Sequence, residues 1–291
     1  MAGVSARAWG WRRRGGEGNE DGMPAVSPRR SSALGAAPAA AGPGTRTLCI
    51  DIGGTGVKAI ILDAEGVPLT DRVRLETPQP ATPKRVLDCI WKLIAPLGPF
   101  HRISVGFPGV VVDGVTMTAP NLHPTWKSFE LAKALAEATR RPVRVLNDAG
   151  VQGYGVIEGY GVEMLITLGT GMGCSLFLDG KYVPNLELAH HPFHGGKTYE
   201  EWVGNAALER VGKKRWNHHV KAVIEQIEPI WNPRKLYIGG GNARRVKLKL
   251  PPNVSIVPNV AGLLGGIALW HDRDHPKAAP ATRARPRARP R

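Results

Sequence analysis

The chain has 291 residues and a formal net charge of +15 at neutral pH, long enough for two domains of ordinary size and basic enough to favour anionic partners. No apolar stretch near the N-terminus is long enough for a signal peptide or a membrane anchor. Cys49, Cys89 and Cys174 match neither a metal site nor a disulfide framework, so secreted and zinc-finger classes give way to a reducing, cytoplasmic setting.

Most of the charge excess sits at the two ends. Residues 1–46 hold seven arginines against three acids, and residues 271–291 hold seven basic residues against two acids. Both ends are rich in Ala, Pro and Gly and show no helical or strand period, so they read as disordered tails. Met23 is an alternative start.

Between the tails, Leu48–Ile52 and Val57–Leu62 are apolar, β-branched runs joined by Gly53-Gly54-Thr55-Gly56, which predicts a hairpin. Glycines let backbone N–H groups approach a phosphate that a side chain would block. Asp51 precedes the turn and Lys58 follows it, so an anion and a metal ion can both be served there. The plainer reading is a tight turn that needs only positive φ. A third strand is expected over Val67–Leu75, giving an antiparallel meander unlike a dinucleotide-binding start. Thr82-Pro83 predicts a helix cap, and the stripe Val86, Ile90, Leu93 and Ile94 comes next.

Ile103–Phe107 reads as the next strand. Ser128 is placed to cap a helix burying Leu131, Ala134, Leu135 and Ala138. The loop Asn121–Trp126 offers groups that bind hydroxyls, and serves equally as an irregular loop pinned by a buried Trp. Val143–Leu146 predicts a short buried strand whose end presents Asn147 and Asp148. In α/β proteins ligands bind at such carboxyl ends, although an Asp there also caps helices.

Residues 162–186 repeat the opening theme: strand Met164–Leu168, turn Gly169-Thr170-Gly171-Met172-Gly173, strand Cys174–Leu178, then a hairpin turn at Asp179-Gly180. Two such copies about 115 residues apart point to a duplicated nucleotide-binding domain, each turn gripping phosphate from one side of a cleft. Glu187-Leu-Ala-His190 sets a carboxylate and an imidazole three residues apart, suited to a sugar or, less well without nearby cysteines, to zinc. Glu200 and Glu201 open a helix, Lys213-Lys214-Arg215 reads as a solvated helix face, and Val220, Val223, Ile224 and Ile227 form a core stripe. Strand Lys235–Ile238 runs into Gly239-Gly240-Gly241-Asn242, which passes a nucleotide base or extends the phosphate track before a further helix. Ala261–Trp270 reads as a small-residue helix. No helix-turn-helix precedes residue 46, which counts against a DNA-binding regulator.

The motifs DIGGTGVK, VLNDA, TLGTGMGCSLFLDGKYVPNLELAH and YIGGGNA, in that order over residues 46–270, resemble the ROK family of the hexokinase/actin-like ATPase superfamily, nearest its polyphosphate glucokinase branch. The resemblance implies a two-lobed α/β fold of the actin-like (ribonuclease H-like) ATPase type, with duplicated domains and a cleft between them. The lobes would be 46–146 with a return of 261–270, and 147–260, flanked by tails 1–45 and 271–291. It carries phosphate binding onto Asp51, Gly53, Gly54, Thr55 and Lys58, and onto Gly169, Thr170, Gly171 and Gly173, with Gly239, Gly240 and Gly241 beside them. Asn147 would bind sugar and Asp148 would be catalytic. The family's Glu-x-Gly-His falls on Glu187 and His190, with Ala189 replacing Gly. A further sugar-binding Glu falls on Glu200, with Glu201 as the alternative, and Asn121 joins from its loop. The Cys-x-Cys-Gly-x-x-Gly-Cys cluster of zinc-binding members is missing, so no structural zinc is expected.

The resemblance also implies phosphoryl transfer from polyphosphate, ATP or both to the 6-hydroxyl of glucose or a near relative. Mg²⁺ would be held near Asp51 through water. The alternatives are a strictly ATP-dependent hexose kinase and a non-catalytic sugar-sensing or nucleic-acid-binding protein. Expected partners are a hexose, polyphosphate or nucleotide, and a second copy in a homodimer, with no membrane and nucleic acid only through the tails.

Overall fold

In a computed structural model, residues 44–258 and 261–270 are described. The disorder expected of the tails concerns residues almost all outside that set. Strands β1 (Thr47–Ile52) and β2 (Val57–Leu62) form the hairpin that the glycine turn predicts, paired from Thr47–Leu62 to Ile52–Val57. Strand β3 is only Val73–Leu75 and does not begin at Val67. Before it a single bridge joins Leu62 to Pro68 and Leu69 N–H bonds Ile61 O, but the Ile61 N–H goes to Thr70 Oγ1, a side chain, so the ladder lapses before Val73. Helix α1 (Pro83–Ile94) starts as expected, Thr82 Oγ1 accepting from Arg85 N–H, and buries Val86, Cys89, Ile90, Leu93 and Ile94.

Strand β4 (Arg102–Phe107) leads to helix α2 (Leu131–Thr139), where the expected phase is corrected. Ser128 does not cap it. Its φ is +61° and its N–H bonds Thr116 O at 2.8 Å, because Phe129 is held in a bridge to Thr116. The buried face is therefore Leu131, Ala132, Leu135 and Ala136, leaving Ala138 exposed and Ala134 half-buried. Strand β5 (Val143–Asn147) and helix α3 (Asp148–Tyr154) come next.

The second half contains β6 (Val162–Leu168), β7 (Met172–Leu178), β8 (Lys181–Val183), helix α4 (Tyr199–Val203) and helix α5 (Asn205–Trp231). Asp179 and Gly180 take φ of +50° and +76°, as a tight hairpin requires. Gly212 departs from helical geometry inside α5. Strands β9 (Lys235–Gly239) and β10 (Val254–Ile256) are joined by a single 3-10 turn, Ala243–Arg245, in place of the helix expected after the glycines.

Two five-stranded sheets result, ordered β3-β2-β1-β4-β5 and β8-β7-β6-β9-β10. In each, the first three strands pair antiparallel and the last two add in parallel. The duplication suggested by the paired glycine turns is thus a duplication of topology. One apolar core lies between the first sheet, α1 and α2, and another between the second sheet and α5. Helix α6 (Ala261–Leu264) and the 3-10 turn Gly265–Trp270 replace the single helix expected there. They bring the chain back to the first sheet, where Leu263 and Ile267 pack with Cys49, Ile60 and Leu62. A Cβ on Gly266 would lie 2.6 Å from Cys49 Sγ, so only glycine permits this approach. Among the described residues no helix is long and apolar enough to cross a membrane.

Candidate active site

One cleft of about 540 Å³ is lined by both glycine turns, the end of β5 and the segment 186–190. Its geometry starts with the junction of β5 and α3. Asn147 caps α3 through Oδ1, which accepts from Gly150 N–H at 3.2 Å, while its Nδ2 donates to Gly109 O at 3.2 Å. Capping is therefore the work of Asn147. Asp148 is left as the first helical residue with its carboxylate in the cleft, and only Oδ1 is engaged, by Ala149 N–H at 2.8 Å. Gly106 lies on the neighbouring strand, where a Cβ would touch Asp148 Cα at 3.4 Å, an ordinary contact.

Burial pushes the Asp148 carboxyl up from its ordinary value to about 7, and the Asp51 and Glu187 carboxylates add to the rise. Ala149 N–H and Lys58 oppose it. A carboxyl poised there accepts a proton readily near neutrality.

The first turn forms one wall. Gly53 N–H bonds Gly56 O at 3.1 Å, and Thr77 Oγ1 donates to Gly53 O at 2.5 Å. Lys58 Nζ donates to Asp51 Oδ2 at 2.6 Å, both side chains about one-fifth exposed. Gly54, Thr55 and Asn121 face the cleft beside them. In the Asn121 loop Trp126 is fully buried and donates Nε1–H to Ala81 O, while Asn121 lines the cavity wall.

The second turn forms the opposite wall. Gly169 N–H bonds Gly171 O at 2.9 Å, and Gly173 N–H donates to Thr167 Oγ1 at 3.0 Å. Gly169 O accepts from Asn205 N–H and from Asn242 Nδ2. Glu200 Oε2 accepts from Met172 N–H at 3.1 Å, and would lie 1.9 Å from a Cβ on Gly171. Thr170, Gly240 and Gly241 also line the cavity.

Glu187 and His190 stand together, Nε2 to Oε2 at 3.6 Å. Burial raises the Glu187 carboxyl, His190 works against that rise, and Glu200 adds to it. Glu200 faces the cleft, whereas Glu201 is exposed and closes a capping box with Thr198. Of the anticipated residues, Gly239 alone lies off the cavity wall. It ends β9, and a Cβ there would strike Gln152 Nε2 at 2.4 Å. Cys174 touches the cavity, but burial pushes its thiol up to about 12, which leaves it without nucleophilic character.

Sequence reading missed Thr77, Asn205, Gln152 and Arg244, whereas Asn242 was read together with the third glycine cluster that it directly succeeds. Among the described residues no three His, Cys, Asp or Glu side chains cluster as a metal site. Mg²⁺ needs no such cluster, since it keeps waters and uses one or two carboxylates with substrate phosphates. Asp51, at the foot of the first turn, fits that donor set.

Residues 47–185 match the ROK family. A polyphosphate glucokinase of Mycobacterium tuberculosis is 34% identical over 234 residues, covering 74% of this chain and 88% of that protein. The inorganic polyphosphate/ATP-glucomannokinase of Arthrobacter sp. strain KM superposes with a TM-score of 0.70 at 32% identity, over 78% of this chain and 98% of that one. A ROK family glucokinase from Streptomyces griseus, solved with glucose and AMPPNP, shares the fold at a TM-score of 0.63 and 21% identity, over 77% and 98% of the two chains. The chain belongs to the ROK family and has its two-lobed, actin-like ATPase fold.

Proposed function

We propose that this protein transfers a terminal phosphoryl group from polyphosphate or ATP to the 6-hydroxyl of glucose or a closely related hexose, with Asp148 as the base. That it is a phosphotransferase with a sugar acceptor follows from its kinship with the glucokinases above. The finer reading rests on one observation: a carboxyl raised to about 7 stands in a cleft walled by two main-chain anion cradles and by the hydroxyl-binding groups Asn121, Asn147, Glu187, His190 and Glu200.

In this scheme Asn147, Glu187, His190 and Glu200 hold the sugar's other hydroxyls and fix the line of attack. Asp148 takes the proton of the 6-hydroxyl, whose oxygen forms the new bond to phosphorus while the bond to the donor's bridging oxygen breaks. Phosphoryl transfer has a loose transition state, so positioning and charge neutralisation carry most of the rate. The N–H groups of Gly54 and Thr55 and of Thr170 and Gly171 meet the donor's oxygens, with Lys58 beside the first turn. Asp51 would hold Mg²⁺, which neutralises phosphate charge when bound. Three buried free cysteines suit a reducing, cytoplasmic setting.

The test is a coupled assay of glucose phosphorylation, run with ATP and polyphosphate separately on the wild type and Asp148→Asn. The variant is expected to lose about 10²–10⁴-fold in kcat with either donor. Equal turnover by the two proteins would remove Asp148 from the mechanism.

A further inference from the structure

The cleft does not end at the second glycine turn. Beyond Gly240 and Gly241 it opens past Asn242 to Arg244, and its lining contains no Phe, Tyr or Trp. A purine ring would find no aromatic face there, while phosphate oxygens would find backbone N–H groups and then a guanidinium.

From Arg244 the positive charge continues outward. Arg244, Arg245 and Lys247 are all exposed, while Val246 between the last two is buried, which turns Arg245 and Lys247 together toward solvent. This segment is fastened to α5 through Asn217, whose Nδ2 donates to Arg245 O at 3.1 Å and to Lys213 O at 2.8 Å. Lys247 N–H completes the clasp, donating to Asn217 Oδ1 at 2.6 Å. Lys213 and Lys214, one helical turn before Asn217, therefore stand beside Arg245 and Lys247. Both lysines are exposed.

This strip carries a net positive charge. None of its five cations forms an ion pair with a described carboxylate. The sequence has no Asp or Glu between Glu228 and Asp272. On the adjoining part of α5 one acid, Glu209, lies a turn before Lys213 and accepts from Asn205 Nδ2 at 2.6 Å; against five cations it leaves the strip positive. The strip starts at Arg244 on the cleft wall.

We infer that Arg244, Arg245, Lys247, Lys213 and Lys214 form an outer track for a linear polyanion, on which the part of a polyphosphate chain lying beyond the reacting phosphates rests. A nucleoside triphosphate is too short to use it, so the track favours long donors over short ones. It lies in the folded domain and is separate from the arginine-rich tails.

The track shares its donor class with the kinase reading, but its test reads binding without glucose. Long-chain polyphosphate and tripolyphosphate are titrated separately into the full-length wild type and K213Q/R245Q/K247Q, at low and high salt. The wild type is expected to bind the long polymer about tenfold tighter per phosphate than tripolyphosphate, with a steeper salt dependence from counterion release. The triple variant should lose that advantage and its extra salt dependence, and should bind tripolyphosphate as before. K213R/R245K/K247R should behave as wild type. Unchanged polymer binding in the triple variant, or equal loss for both ligands, would overturn the track. So would single-stranded DNA of matched charge that competes as well as the polymer, since the strip would then be a nucleic-acid surface. Absence of glucose phosphorylation in the wild type would remove the kinase reading and leave these outcomes as informative as before.

Discussion

The two glycine turns occupy equivalent places in two sheets of the same topology, yet their surroundings differ in kind. Gly53–Gly56 is braced by Thr77 from outside and stands beside a partly buried ion pair, Lys58 with Asp51. Gly169–Gly173 is held by Asn205 and Asn242, and a carboxylate, Glu200, accepts from its Met172 N–H. In the proposed reaction the first turn would meet the donor with Lys58 and its partner Asp51 beside it, and the second with main-chain N–H groups, while Glu200 would link the second turn to the sugar. Side chains thus distinguish two turns of one duplicated topology.

The largest effect should come from the group between the halves. Asp148→Asn, beyond its kinetic loss, should melt a few degrees above wild type at pH 8. A carboxyl raised in the fold contributes stability that is complete below its unfolded value near 4 and lost as pH rises through about 7, and Asn carries no such charge to bury. Thermal melts between pH 4 and 8 check the sign, and the gap should close toward pH 4. Next come paired substitutions that compare the turns directly. Gly171→Ala drives a methyl into Glu200 Oε2 and should cost about 100-fold in kcat/KM, whereas Gly54→Ala meets Asn121 at 3.3 Å and should cost about tenfold. Steady-state kinetics with both substrates varied should show Gly171→Ala raising both KM values and Gly54→Ala mainly the donor's. Equal costs would erase the contrast.

Lys58→Met tests the charged side. Because Lys58 lowers the Asp148 pKa, its loss should move the acid limb of the kcat/KM profile upward from about 7, and should raise the donor KM while sparing that of the sugar. The smallest effect separates two adjacent acids. Glu201→Ala removes the reciprocal partner of Thr198 and should lower the denaturant midpoint slightly, with kcat/KM intact. Glu200→Ala should do the reverse.

Much of this arrangement was legible because it is local in sequence. A glycine turn between two β-branched runs names its own hairpin, and the second copy made the duplication readable. Asn147 and Asp148 were legible as a strand end, although their division of labour, one capping and one free, was settled by the first turn of α3. The features that escaped were set by distant partners. Strand β3 shortened because the Thr70 hydroxyl took the Ile61 N–H from its ladder, and α2 shifted because Phe129 was bound to Thr116. Gly239 looked like its two neighbours in sequence but sits inside a strand against Gln152. Thr77 and Asn205 brace the turns from far along the chain, where no spacing advertises them. The lysines of α5 are exposed, as a solvated face requires, but only the fold showed Asn217 fastening Lys213 to Arg245.

The return of the chain at 265–270 also brings the first and last described parts of the fold together. Arg102 donates from Nε to Thr47 Oγ1 at 2.7 Å and lies over the Trp270 ring at 4.9 Å, so the first strand residue and the last described residue share one neighbour. Entrance and exit of the fold are side by side. A circular permutant could therefore be closed by a short flexible linker and opened at the hairpin turn of the exposed Asp179, leaving the catalytic walls on one continuous scaffold.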